Sequence, residues 1–296
     1  MNRRMRMAEG FIAADWGTTN RRAYWIDGEG RCAGEFEDSR GALSIPSGGF
    51  PEAVAEIRNR LGDKPLLLAG MIGSNRGWIE APYVPCPAGV DDLASALVWA
   101  DEETAIVPGV CDSQRADVMR GEEVQVLGAV AGKLIPSDCL VCHPGTHTKW
   151  VEVIGGRIST FRTVMTGELF NLLKEQSVLS DLLSFPVELG DAFDAGVGHG
   201  LELDDLQAEL FSVRARVLLG NAPREQAASY TSGLLVGGGV RIGLAMAPRP
   251  RVFVMGRPEL TRLYAAALTR AGHQPVELDG EQCFLAGIQQ IAERIA

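Results

Sequence analysis

The spacing of hydrophobic and polar positions changes repeatedly along the chain, and each change marks an element. Residues 11–15, 21–27 and 31–38 read as three strands joined by short turns, with Asp27-Gly28 as a hairpin signal. Residues 50–61 switch to helical spacing, with Ala53, Val54, Ile57 and Leu61 on one face and Gly62 as a stop. An apolar strand at 65–70 empties into a polar, glycine-punctuated loop, Met71-Ile-Gly-Ser-Asn-Arg-Gly-Trp78. A helix at 91–99, a strand at 104–107 and a helix from Glu122 to about Leu134 complete the first half. Beyond Pro136-Ser137 come strands at 139–142, 148–154 and 157–163, then a helix starting near Thr166. The interval 177–225 reads as mostly helical. Residues 223–247 form a long small-residue helix with a candidate interruption at Gly237-Gly238-Gly239. A strand at 251–255, a helix at 258–271, a strand near 275–278 and a helix at 281–294 end the chain.

The first two strands carry an acid and a small polar tip, Asp15-Trp-Gly17-Thr18-Thr19-Asn20. The same plan returns as His143-Pro-Gly145-Thr146-His147-Thr148-Lys149-Trp150. Asp15 aligns with His143, Gly17 with Gly145, Thr18 with Thr146, Arg21 with Lys149 and Ile26 with Ile154, at a constant offset of 128 (143 − 15 and 154 − 26). A turn needs no partner half a chain away, so the echo predicts two related domains, 1–135 and 136–296, each presenting backbone N–H groups to an anion. The order of elements fits mixed sheets with helices on their faces.

Composition adds bounds. The chain has 296 residues, 46% hydrophobic and 22% charged, in keeping with two ordinary globular cores. A net charge of −10 excludes the basic footprint of a nucleic-acid binder, though local amides can still hold a phosphate. Arg3, Arg4 and Arg6 precede no apolar core of secretory type, and no apolar run approaches a membrane span, so the expected location is the cytoplasm, with no membrane partner.

Common motifs fail on spacing. Gly132-Lys133 lacks the P-loop glycine, and the glycines at 237, 238, 239 and 243 miss the dinucleotide fingerprint. Cys139-x-x-Cys142-His143 matches a haem-attachment string, but cysteines three apart in a strand face opposite ways, so buried structural thiols are expected.

The paired Gly-Thr tips, and the acid on the first, resemble the sugar kinases of the actin–hexokinase ATPase superfamily. That superfamily's third signature is an apolar strand ending in glycine and leading into a helix that touches adenosine. Val252-Phe-Val-Met-Gly256-Arg-Pro-Glu-Leu260 matches it loosely, with one glycine where two are usual. Within the superfamily the chain is similar to the 2-dehydro-3-deoxygalactonokinases, through the two tips, the 71–78 loop and Asp117-Val-Met-Arg-Gly-Glu122-Glu123 with Gln125.

The resemblance implies an α/β fold of two duplicated ribonuclease-H-like domains, with mixed sheets and the active site in an interdomain cleft. It implies transfer of the ATP γ-phosphoryl group to the 6-hydroxyl of 2-dehydro-3-deoxy-D-galactonate, with ATP and Mg²⁺ as cofactors and a small sugar acid as partner. Asp15 would orient Mg²⁺. Gly17, Thr18 and Thr19 would meet the γ-phosphate, and Gly145, Thr146, His147, Thr148 and Lys149 the other phosphates. Gly256 would lie at the adenosine. Ser74, Asn75 and Arg76 are candidates for the acceptor's carboxylate and keto group. Three acids compete for the base: Glu122 at the helix start, Asp117 before it, and Glu123, which points about 100° away. The alternatives are a kinase of the same superfamily acting on another sugar or sugar acid, and a catalytically silent nucleotide sensor.

Overall fold

The computed structural model describes residues 10–202 and 205–295, so Arg3, Arg4 and Arg6 lie outside the described residues. The chain divides into two compact units. One comprises the chain up to Ser137, Ile154–Thr160 and the chain from Glu281; the other comprises Asp138–Val153 and Phe161–Gly280.

The first unit contains β1 (Phe11–Trp16), β2 (Arg21–Ile26), β3 (Cys32–Asp38), α1 (Phe50–Leu61), β4 (Leu66–Gly70) and β5 (Tyr83–Pro85). It continues with α2 (Val90–Ser95), β6 (Val98–Trp99), β7 (Thr104–Ile106), β8 (Gly109–Asp112), β9 (Asp117–Met119) and α3 (Glu122–Ala131). The main sheet runs β3-β2-β1-β4-β7-β6, and β5-β8-β9 form a small separate sheet. The helix expected over 91–99 stops at Ser95, because Val98 and Trp99 pair with Ile106 and Ala105 of β7 instead. α3 ends at Ala131 rather than near Leu134, where the chain turns through Lys133 at φ 58°.

The rest of the chain supplies β10 (Cys139–His143), β11 (Thr148–Ile154), β12 (Arg157–Val164), α4 (Thr166–Gln176), α5 (Asp191–Glu202) and α6 (Leu206–Leu218). After them come α7 (Ala227–Met246), β13 (Arg251–Gly256), α8 (Pro258–Arg270), β14 (Gln274–Asp279) and α9 (Gly280–Ile295). The sheet order β12-β11-β10-β13-β14 repeats β3-β2-β1-β4-β7, with the same antiparallel hairpin followed by parallel neighbours. α7 is unbroken at its glycines. They serve close packing: a Cβ on Gly237 would lie 2.5 Å from the Val197 carbonyl of α5, and one on Gly243 would lie 2.0 Å from the Trp150 ring. The last helix, assigned by pattern to the second half, packs on α3, where a Cβ on Gly128 would lie 2.0 Å from the Cys283 carbonyl.

The echo between the hairpins holds on the outgoing strand and slips on the return. Asp15 pairs with Arg22, whereas His143 pairs with Lys149, so the return offset is 127 (149 − 22), not 128. Burial agrees: half-buried Trp25 then corresponds to half-buried Glu152, and buried Ile26 to buried Val153, while Ile154 is exposed. Arg21 is therefore the counterpart of Thr148, and Arg22 that of Lys149. A second tip one residue shorter produces the shift.

Candidate active site

At the first tip, three carbonyls are tied inward. Those of Gly17, Thr18 and Thr19 accept from the N–H groups of Ala42, Leu43 and Gly41, at 2.9, 3.3 and 3.0 Å. Gly41 is required there, since a Cβ would lie 2.3 Å from the Thr18 carbonyl oxygen. With the carbonyls engaged, the N–H groups of Thr18 and Thr19 donate to no backbone carbonyl among the described residues, and both side chains are exposed. Outward amides beside hydroxyls form a cradle for an anion. Beneath the tip, Arg21 is wholly buried. It donates to Ala53 O at 2.8 Å, pairs with Asp38 at 2.8 Å and stacks on Trp16. This is a strut, not a ligand contact. Burial works against the charge on Asp38, yet the Arg21 pairing and the Arg40 N–H hold its carboxyl below the usual range.

Asp15, half-buried, sits one residue from the tip, and its charge is felt by Arg22 and Tyr24. The chain junctions of the first unit close in around it. Trp16 pairs with Gly70 at the end of β4, and Gly70 takes φ 93°, with its Cβ position 2.7 Å from Trp16 O. The Cβ position of Gly121, just ahead of α3, lies 3.3 Å from the Gly70 Cα. The end of β1, the start of the 71–78 loop and the N-terminus of α3 thus meet at one place.

Glu122 and Glu123 open α3. The Glu122 carboxylate accepts the Arg120 N–H at 3.0 Å. Glu123 is buried and takes the Gly121 N–H at 2.8 Å on both oxygens. Burial and the neighbouring Glu122 charge push its pKa up to about 8, against the pull of the Gly121 N–H. It is a core group rather than decoration of the helix dipole. Asp117 lies at the turn end of the β8–β9 hairpin, opposite Asp112 and four residues before Gly121, about 13 Å along an extended chain.

In the 71–78 loop, Ser74 is buried and closes a turn, donating to Met71 O at 2.8 Å and accepting from the Arg76 N–H at 3.2 Å. Asn75 and Arg76 are exposed at its tip.

The second tip is built alike. Glu168 N–H at the start of α4 donates to Thr146 O at 3.0 Å, and a Cβ on Gly167 would lie 2.6 Å from Gly145 O. Thr146 and His147 are exposed, with the His147 imidazole against Glu168. Thr148 and Lys149 point away from solvent: the Thr148 hydroxyl meets the Tyr264 hydroxyl at 2.7 Å, and Lys149 Nζ donates to Thr163 at 2.9 Å. Gly256, at φ 146°, ends β13 with its Cβ position 3.6 Å from Pro144 O. It holds the topological place that Gly70 holds in the first unit. Cys139 and Cys142 are buried free thiols, and burial pushes Cys139 up to about 12.

Sequence reasoning missed Arg120. Its Nη2 donates to Ala81 O at 2.7 Å and its guanidinium lies 4.3 Å from the Tyr83 ring centroid. The sequence signal was its place directly before Gly121.

Comparison with known proteins gives the family and the fold. Residues 15–291 match the family described as 2-keto-3-deoxy-galactonokinase. The 2-dehydro-3-deoxygalactonokinase of Escherichia coli (strain K12) is 38% identical, over 98% of this chain and 100% of that one. The crystal structure of a Sinorhizobium meliloti protein, described as a candidate 2-dehydro-3-deoxygalactonokinase, superposes with a TM-score of 0.89 at 32% identity, covering 96% of this chain and 98% of that one. An activator of 2-hydroxyisocaproyl-CoA dehydratase from Clostridium difficile shares the fold alone, at a TM-score of 0.52 and 10% identity, over 96% of this chain and 95% of that one. The chain therefore belongs to the 2-keto-3-deoxy-galactonokinase family and is a phosphotransferase with an alcohol group as acceptor.

Proposed function

We propose that the protein transfers the γ-phosphoryl group of ATP to the 6-hydroxyl of 2-dehydro-3-deoxy-D-galactonate, in the cytoplasm. The observation that carries this reading is the junction of Trp16, Gly70 and Gly121, which gathers an acid, an anion cradle, an acceptor loop and a second acid in one unit. Phosphoryl transfer asks the protein for placement and charge, with little covalent work. The Thr18 and Thr19 amides and hydroxyls hold the γ-phosphate. The amides at Gly145, Thr146 and His147 hold the remaining phosphates, and Gly256 leaves room for the nucleoside.

The donor set near Asp15 fits Mg²⁺. It is a hard carboxylate, and among the described residues no cluster of three or more His, Cys, Asp or Glu offers a full protein cage. Mg²⁺ commonly takes one or two carboxylates and fills its shell with water and phosphate oxygens. When bound it supplies positive charge to the transferring group. Asp15 positions that charge, Glu122 accepts the hydroxyl proton, and Asn75 and Arg76 hold the acceptor. Ser74 acts by shaping the turn, and Lys149 lends its charge through Thr163's neighbourhood rather than by direct contact. Asp117 is the second choice for the base.

The test is turnover of ATP over a panel of 2-keto-3-deoxy sugar acids, with phosphorus NMR locating the new ester. Phosphate on C6 of the galactonate-series acid is the expected result. An ester on another carbon, or no turnover with any acid, would overturn the reading.

A further inference from the structure

Arg120 is a cation with donors left over. Its Nη2 is engaged by Ala81 O, but Nε and Nη1 are buried and meet no hydrogen-bond partner among the described residues. No ion pair involves its guanidinium there either. Glu123, which feels the Arg120 charge, has both oxygens on the Gly121 N–H. Burying charged donors without an acceptor costs several-fold more than burying a satisfied pair, so such an arrangement calls for an anion.

The surroundings say which anion. Nη1 lies against Gly73, where a Cβ would sit 2.9 Å from it, so the first turn of the acceptor loop is kept bare for the guanidinium. Ala81 and Tyr83 belong to the chain returning from that loop. Of the flanking groups Gly73, Ile106, Ala81 and Tyr83, only Tyr83 is exposed. The other cations close to the first tip are committed: Arg21 to Asp38, and Arg22 to Glu37 at 3.2 Å. Arg76 is exposed at the loop tip, where water screens it.

We propose that Arg120 is the carboxylate-recognising residue of the acceptor site, taking the C1 carboxylate of a 2-keto acid past the Tyr83 ring. This rests on the transferase reading above for the identity of the ligand, though not for the chemistry of the subsite. A planar guanidinium suits a carboxylate better than an ammonium does, since it offers parallel N–H groups in a fixed fork. A neutral sugar would offer those donors single hydroxyl oxygens, without the charge or the paired oxygens of a carboxylate, so Arg120 selects acids over sugars as well as binding them.

Two arms test this. In the first, calorimetry without nucleotide measures binding of the 2-keto-3-deoxy acid and of its analogue with the carboxylate reduced to an alcohol. Wild-type protein is expected to prefer the acid by on the order of 10²-fold, and Arg120→Gln to lose that preference while binding the neutral analogue as before. Arg120→Lys should keep a preference of about tenfold, from charge without the fork. In the second arm, Arg120→Gln should raise KM for the acid by a similar factor, with KM for ATP within about threefold. Equal losses for acid and neutral analogue would make Arg120 a strut for the 71–83 segment and overturn the proposal. So would a lowered melting temperature with acid preference intact. Wild-type acid preference that depends on Arg120, without any turnover, would remove the transferase reading and leave the subsite standing.

Discussion

Glu122 and Glu123 are adjacent on the first turn of α3, yet their carboxylates have separate surroundings. Glu122 is half-buried with one oxygen on the Arg120 N–H, and Glu123 is enclosed against the Gly121 N–H. Neighbours on a helix diverge by about 100°, which suffices to leave one acid at the surface edge of the helix and send the other into the core. Glu122→Gln should lower kcat by roughly 10²–10⁴-fold, the span of a positioned base, with KM for ATP nearly unchanged. If Asp117→Asn shows that signature in steady-state kinetics and Glu122→Gln does not, the base is Asp117.

Glu123 makes stability depend on pH. Its folded-state pKa of about 8 lies above the ordinary carboxylate value of 4.5, so the folded protein holds the extra proton between the two. Stability from this group is full below the lower value and declines as pH rises toward the upper, by at most about 1.4 kcal/mol per pH unit. Glu123→Gln should flatten that decline. Denaturant melts at pH 5, 7 and 9 check it, and an unchanged slope would contradict the assignment.

Asp15→Asn keeps the shape of the β1 end and removes its charge. Turnover should fall by roughly 10²–10³-fold, as when one electrostatic stabiliser is deleted, while the melting temperature moves little. Near-normal turnover in a coupled ATP assay would remove Asp15 from the mechanism.

Gly243→Ala sets helix propensity against packing. Alanine gains about 1 kcal/mol in a helix interior, but the Cβ would lie 2.0 Å from the Trp150 ring in a filled core. Overpacking there should cost about 1–3 kcal/mol and win, so thermal unfolding should come at a lower temperature. A variant melting higher than wild type would show that Trp150 can move aside.

Much of the fold was legible because the chain signals its strands twice. The apolar runs at 11–16 and 139–143, and the glycine-marked tips after them, gave both hairpins and their place in each sheet. The small β5-β8-β9 sheet was not legible, since strands of three or four residues are shorter than the periods used to find them. The tips and Asp15 were visible for the same reason as the hairpins, while Thr148 and Lys149 read as phosphate contacts and turned out to be buried. Which way a side chain points after a tight turn depends on turn length, and a one-residue change reverses it. Arg120 was hidden because its importance lies in what it lacks, and an unmet donor leaves no trace in a string of letters.

The shorter second tip also limits what can be grafted. Residues of the return strand that align letter for letter between the halves do not share a face, so replacing residues 145–148 by the four-residue first tip would set Lys149 opposite Pro144 and draw β11 along by one place. Glu152 would then fall where Val151 now sits, fully buried, and a carboxylate would enter the core. The two tips are matched in chemistry and mismatched in parity, and each is tuned to the sheet it closes.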